Sequence, residues 1–402
     1  MNSEKRIVFA GFTIRFLLLR QNKKFRSQSH LNQKHTMLRI FLFCLLLSQV
    51  VACQLFMPIE NNNNMKEKYI WDACSGAPLG YPIAVYAGGF ILKGGTLVDL
   101  YSGISTARSP WGTATGGMER AANFPHHLKV TWISFAEDCE YRIDVPLDAQ
   151  KIEDIFKERY LIRNAYGDLM ESNYDEIVAG FAPGGVVSVW VKGGEESHEV
   201  GFFKGEKIKI PRSITDSLEP SERNWFDPAY RKKIMETPAA VPREVQEKNK
   251  NKPIPYGLWD RYRNHYQWKP VFTLPKPLPD KEKTIAQIYD ISFRYLNGEA
   301  ESINYPNTLH LEAWNRAIPR SVHISWTGVD GTNFAADIFF DEEEIMKAFE
   351  RFSPQDNLEL EFYINHYSTY IAVFLTEKEK KIGINDNTQI DIWTLDKNLK
   401  RD

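Results

Sequence analysis

A serine held between glycines can act as a nucleophile. The run Gly103-Ile104-Ser105-Thr106-Ala107 comes within one residue of the Gly-x-Ser-x-Gly turn that presents a serine between a strand and a helix. Its last residue is Ala, and Gly88, Gly89, Gly94, Gly95, Gly112, Gly116 and Gly117 lie around it, a composition that suits hairpins and loops. His126 and His127 are metal-ligand types, but neighbours in a strand point to opposite faces and do not readily share an ion. With Arg320 and Ser321 at the matching place later in the chain, they read as surface or turn residues. Asp341, Glu342, Glu343 and Glu344 gather four carboxylates. They fall at an expected helix start, where negative charge interacts favourably with the helix dipole. Trp132 and Trp326 could stack on a sugar, yet each sits on an alternating apolar face and reads as core. Neither glycine pattern for nucleotide phosphates occurs. The sequence therefore assigns no catalytic group, no metal site and no cofactor.

The elements that carry these residues repeat. Phe124-Pro125-His126-His127-Leu128-Lys129-Val130-Thr131-Trp132 matches Ile318-Pro319-Arg320-Ser321-Val322-His323-Ile324-Ser325-Trp326, with Pro at the start and Trp seven residues on. Leu128, Val130 and Trp132 share one face, as do Val322, Ile324 and Trp326, which is the period of a half-buried strand. A second strand follows each, around 141–145 and 334–339. Next comes an aspartate placed to cap a helix, Asp148 and Asp341. The helices bury Ile152, Ile155, Phe156 and Tyr160, and Ile345, Ala348, Phe349 and Phe352. Strand pairs are expected after each helix, at 176–181 with 186–191 and at 358–364 with 370–375. Short glycine-bearing strands near 200–202 and 382–384 end the units, and strands at 81–87 and 288–296 can join them. The expectation is an α+β fold of two tandem units, 71–210 and 281–402, each an antiparallel sheet with one amphipathic helix packed on a face. Between them, 211–280 holds eleven of the 21 prolines and reads as a long connection lacking a sheet. Its Trp225, Trp259, Tyr262, Tyr266 and Trp268 would pin it to the units.

The chain has 402 residues, 43% hydrophobic and 25% charged, with Gly 24 and Pro 21, which excludes wholesale disorder, collagen and a multi-span membrane protein. Its net charge of -2 hides an asymmetry. Residues 1–53 carry nine Lys and Arg against the single acid Glu4, leaving 41 basic and 51 acidic residues over 54–402. An acidic body argues against nucleic acid as a partner.

From Met37 the sequence MLRIFLFCLLLSQVVAC sets an apolar run, Ile40 to Leu47, behind Arg39 and ends on Ala52-Cys53. The run is too short to span a bilayer, which takes ~20 apolar residues, and has the length of a secretory signal. A small residue before cysteine at that place resembles the lipobox of bacterial lipoproteins. The resemblance implies cleavage before Cys53 and diacylation of its thiol, with 37–52 the signal peptide, 53–70 a lipidated tether and 1–36 an upstream over-call of the start. Gln54 after the anchor implies, by the same resemblance, an outer-membrane destination facing the periplasm. Of the remaining thiols, Cys74 and Cys139 could oxidise to a disulfide in that compartment, which in the chain-entropy model contributes roughly 4 kcal/mol, or remain buried and free. Both readings stand at this point.

The lipobox start, the Tyr81-Pro82 strand, the glycine-rich stretch and the strand Pro125-x-x-Leu128-x-Val130-x-Trp132 before an amphipathic helix together resemble an uncharacterised bacterial lipoprotein family, domain of unknown function 2931 (DUF2931). The resemblance is clearest over 71–210; the second unit lacks the glycine-rich part. The family brings no established catalytic residues. In size and anchoring its members are similar to lipoproteins that neutralise phospholipase toxins delivered by type VI secretion. This implies a membrane-anchored protein whose partner is another protein, a toxin, rather than an enzyme. The competing readings are an envelope structural or small-ligand-binding lipoprotein and, third, a serine hydrolase acting through Ser105.

Overall fold

The computed structural model describes residues 69–100, 103–105, 108–163, 168–276 and 286–395. The signal segment, Cys53 and the tether up to residue 68 lie outside the described residues, so the anchoring expectation is not addressed by the fold. Among the described residues, no helix is long and apolar enough to cross a membrane.

The chain is mainly β-sheet with few helices. One sheet holds ten strands in the order Gln389–Thr394, Asn333–Phe339, Pro319–Thr327, Gln287–Tyr295, Ala300–Asn304, Glu196–Lys204, Val186–Gly193, Glu176–Ala182, Trp71–Gly76 and Gly116–Ala121. A second runs Glu206–Ile208, Cys139–Pro146, Pro125–Ser134, Ile83–Leu92 and Leu97–Asp99, with Ile104–Ser105 also paired to Ile83–Leu92. A third runs Trp314–Ala317, His265–Thr273, Leu358–Ile364, Ile371–Glu377 and Lys380–Gly383. Tyr160–Arg163 and Leu169–Ser172 make a separate hairpin.

Each half of the body is thus two sheets face to face, and the strand order is the same in both. The second sheet's strands, from Glu206–Ile208 to Leu97–Asp99, take the places held in the other half by Gln389–Thr394 to Ala300–Asn304. The one parallel pair recurs at the same position, Trp71–Gly76 beside Glu176–Ala182 and His265–Thr273 beside Leu358–Ile364. Smaller details recur too. A bulge leaves Tyr86 as the extra residue between Val85 and Ala87, and Tyr289 between Ile288 and Asp290. Buried Trp132 stacks on Tyr141 at 5.3 Å, and buried Trp326 stacks on Phe334 at 5.5 Å.

The expected single antiparallel sheet per unit is corrected by this arrangement: each half uses two sheets, one with a parallel pair. The physical reason is legible in Val186–Gly193. Its apolar residues are nearly continuous, so the strand needs cover on both sides. Val187, Val189 and Val191 face one core with Leu128, Val130, Trp132 and Phe181, while Val186 and Trp190 face the other, with Trp259, Phe293 and Leu296. The ten-stranded sheet runs between these two cores. The halves join within it at one backbone bridge, Ser197 opposite Ala300. Beside the bridge Trp190 donates Nε1–H to the Asn297 carbonyl at 3.1 Å. Gly112, at φ +84°, approaches Gly298 so closely that a Cβ there would stand 2.3 Å from the Gly298 Cα.

Both helix starts form as the sequence requires. Asp148 accepts from the Lys151 N–H and Asp341 from the Glu344 N–H, each at 3.0 Å, opening Ala149–Lys157 and Glu342–Phe349. Ile152 and Phe156 close one core, Ile345 and Phe349 the other.

The connection departs from expectation. Residues 211–280 do not lack a sheet, because His265–Thr273 is a full strand of the third sheet. Pro270 disguised it. Proline lacks a ladder donor, but pairing to Trp314–Ala317 ends at Trp268, so Pro270 sits where one edge of the strand is unpaired. Upstream, the connection folds into short helices, among them Pro228–Glu236 and Arg243–Asn249. Trp225 packs on Ala84, Ile133 and Phe135. Arg231 is buried and donates to Asp138 at 2.9 Å and to Glu140, clamping the connection onto the first half.

Candidate functional site

The residues singled out by type are dispersed. Ser105 is buried and shares its hydroxyl with Ser75 and Thr115, both at 3.1 Å; its neighbours are hydroxyls, not a base. The disulfide reading for Cys74 and Cys139 is corrected: both are free, buried thiols. They belong to different cores with the ten-stranded sheet between them, so the sulfurs cannot meet. Burial pushes the Cys74 thiol up to about 12 and raises Cys139 as well. His126 meets the Leu92 carbonyl at 3.0 Å and His127 meets Asp144 at 2.8 Å, on separate partners as the strand period requires. In the acidic turn Glu343 pairs with Lys347, and Glu344 accepts from the Asp386 and Asn387 N–H groups. Arg320, the counterpart of His126, is half-buried between the halves, where it donates to the Trp111 carbonyl of a first-half loop at 3.2 Å.

Two places concentrate chemistry. The first is the outer face of the second half, where Pro319–Thr327 turns its polar side outward. His323 Nδ1 lies 2.8 Å from the Asp337 carboxylate and its Nε2 lies 3.2 Å from Ser325 Oγ. A Ser-His-Asp order invites a hydrolase reading. The sheet opposes it. Ser325 lies in a strand paired on both edges, so local N–H groups point along the ladder rather than at an oxyanion above the face. The first half also repeats the cross-strand contact as Lys129 to Asp144, 3.1 Å, without a serine hydrolase order. Around the pair lie Asp290, whose carboxyl burial raises, and Arg294, paired to Glu195 at 3.3 Å. Phe339 and Trp393 flank the strip with 47% and 39% of their surface exposed.

The second place is a cleft of about 580 Å³ between the halves. Tyr81, Trp111, Leu258, Trp259 and Met346 form its apolar walls. Arg320 and Tyr262 supply polar groups, and Lys248 and Lys252 stand around it. Its walls come from both halves and the connection, so it exists only when all three are assembled. Tyr262, buried and beside Glu342, holds its proton well above the ordinary tyrosine range. Neither place was visible in the sequence. The alternation that put Ser321, His323 and Ser325 on one strand face was the available signal for the first. No local pattern announces the second, whose walls come from segments far apart in the chain.

The fold of the described residues is that of a mainly β protein built from packed sheets. Residues 58–257 match the family described as protein of unknown function (DUF2931), and over that segment the chain belongs to this family. No curated protein and no solved structure matches it.

Proposed function

We propose that the protein is a lipoprotein of the cell envelope, held by a diacylated Cys53, whose body binds a protein partner. The reading includes a doubled unit: the shared strand order, the repeated parallel pair and the matching bulges at Tyr86 and Tyr289 support a tandem duplication. The single observation that carries partner binding is the outer face of the second half. There two exposed aromatics, Phe339 and Trp393, bracket a charged strip of Asp337, His323 and Arg294. Aromatic anchors beside oriented charges are the make-up of interface hot spots. A toxin of the phospholipase class, neutralised in the periplasm by an outer-membrane immunity protein, is the partner this reading names.

In cells making the chain from Met37, palmitate should label the wild type and not Cys53→Ser. A photo-crosslinking residue at Trp393 should capture one envelope or toxin protein, and the same residue at Tyr256 should not. Unlabelled wild type in the soluble cell interior, or no difference between the two crosslinking positions, would overturn the proposal.

A further inference from the structure

Among the described residues two arginines are buried, Arg231 and Arg316, and both have carboxylate partners. Arg231 meets Asp138 and Glu140, and Arg316 meets Glu301 at 2.9 Å. Arg320 is half-buried, and among the described residues no carboxylate lies within ion-pair distance of it; it donates to the Trp111 carbonyl, 3.2 Å away. Withdrawing a cation from water without a counter-ion is costly, and here desolvation pulls the half-buried Arg320 down to about 10. Most of its guanidinium donors remain unspent, and it lines the cleft between the halves.

We propose that this cleft is a binding site for a long-chain carboxylate, with the carboxylate on Arg320 and the hydrocarbon along Tyr81, Leu258, Trp259 and Met346. The volume, about 580 Å³, falls within the range of ~300–1,000 Å³ typical of small-molecule sites, and junctions between folded units are where such sites gather. The walls are aromatic and aliphatic, matching an apolar body. A single negative charge fits better than a phosphate dianion, because Glu342 lines the same cleft. The other two acids there are already engaged, Glu343 by Lys347 and Glu350 by Arg261 at 2.6 Å. Lys248 and Lys252 add positive charge that draws an anion in. The cleft and the outer polar strip share no lining residue.

The test uses the full chain in detergent micelles, with tetradecanoate, tetradecanol and tetradecyl phosphate as probes read by native mass spectrometry. Tetradecanoate should bind and tetradecanol should bind far less. Arg320→Gln should weaken tetradecanoate about ten- to a hundredfold, the equivalent of one charge-assisted hydrogen-bond pair. Lys252→Glu, an exposed change that leaves the thermal midpoint in place, should weaken it several-fold, and it keeps the test decisive should Arg320→Gln fail to fold. Equal binding of tetradecanol, tighter binding of tetradecyl phosphate, or undiminished tetradecanoate binding by either folded variant would overturn the assignment.

Discussion

Replacing Glu196 by Gln removes a titrating group from the seam between the two halves. Glu196 is 8% exposed and accepts the Ser302 N–H at 2.8 Å, next to the bridge that joins the sheet. Burial, reinforced by Glu301 and Glu195, lifts its carboxyl from 4.5 to about 8, against the opposing Ser302 hydrogen bond. His198 stands 3.8 Å away and burial lowers it, so near neutrality the contact joins two uncharged groups and is not an ion pair. The sign follows from proton linkage. Between pH 4.5 and 8 the folded state retains a proton that the unfolded chain has released, so stability falls as pH rises, by about 1.4 kcal/mol per pH unit. At pH 7 the loss reaches roughly 3 kcal/mol, with no surface screening to discount it at this burial. Gln keeps the acceptor for Ser302 and does not titrate. Urea unfolding followed by tryptophan fluorescence should give equal stabilities for wild type and Glu196→Gln near pH 4.5. The variant should then gain with pH until it leads by about 3 kcal/mol at pH 7. A difference that does not change with pH, or a variant weaker at pH 8, would refute the assignment of a neutral, buried Glu196.

Arg231→Met should destabilise by about 3–5 kcal/mol in the same unfolding assay, because it strands Glu140 beside a buried apolar side chain; Lys232→Met, at the exposed neighbour, should change little. Cys74 and Cys139 should resist iodoacetamide in the native protein and both react after urea unfolding without reductant, as intact-mass measurement would show; a mass fixed by a disulfide would contradict their burial in separate cores.

Much of the local structure was legible from the chain. Alternation placed the strands around Trp132 and Trp326, and Asp148 and Asp341 capped their helices because free N–H groups at a helix start need an acceptor. What escaped was governed by pairing between distant segments. Pro270 argued against a strand that an unpaired edge makes tolerable. The consecutive valines of Val186–Gly193 signalled burial on both faces, but not that the second cover would be the other half of the chain. Arg320 and His126 occupy matching positions in the repeated strand, and nothing local distinguishes one from the other. The difference arises because the Trp111 loop lies over Arg320 while His126 faces outward.

The joining of the halves through Ser197 and Ala300 bears on how such a chain can be shortened. Removing the second half would take Ala300 from Ser197, leave the whole edge of Glu196–Lys204 without a neighbouring strand, and strip the cover from Trp190. Bare edges of this kind template intermolecular pairing. A truncated first half should therefore self-associate or aggregate unless some other surface takes over the work of Ala300–Asn304. Nicking the connection with a protease should leave the two fragments bound together.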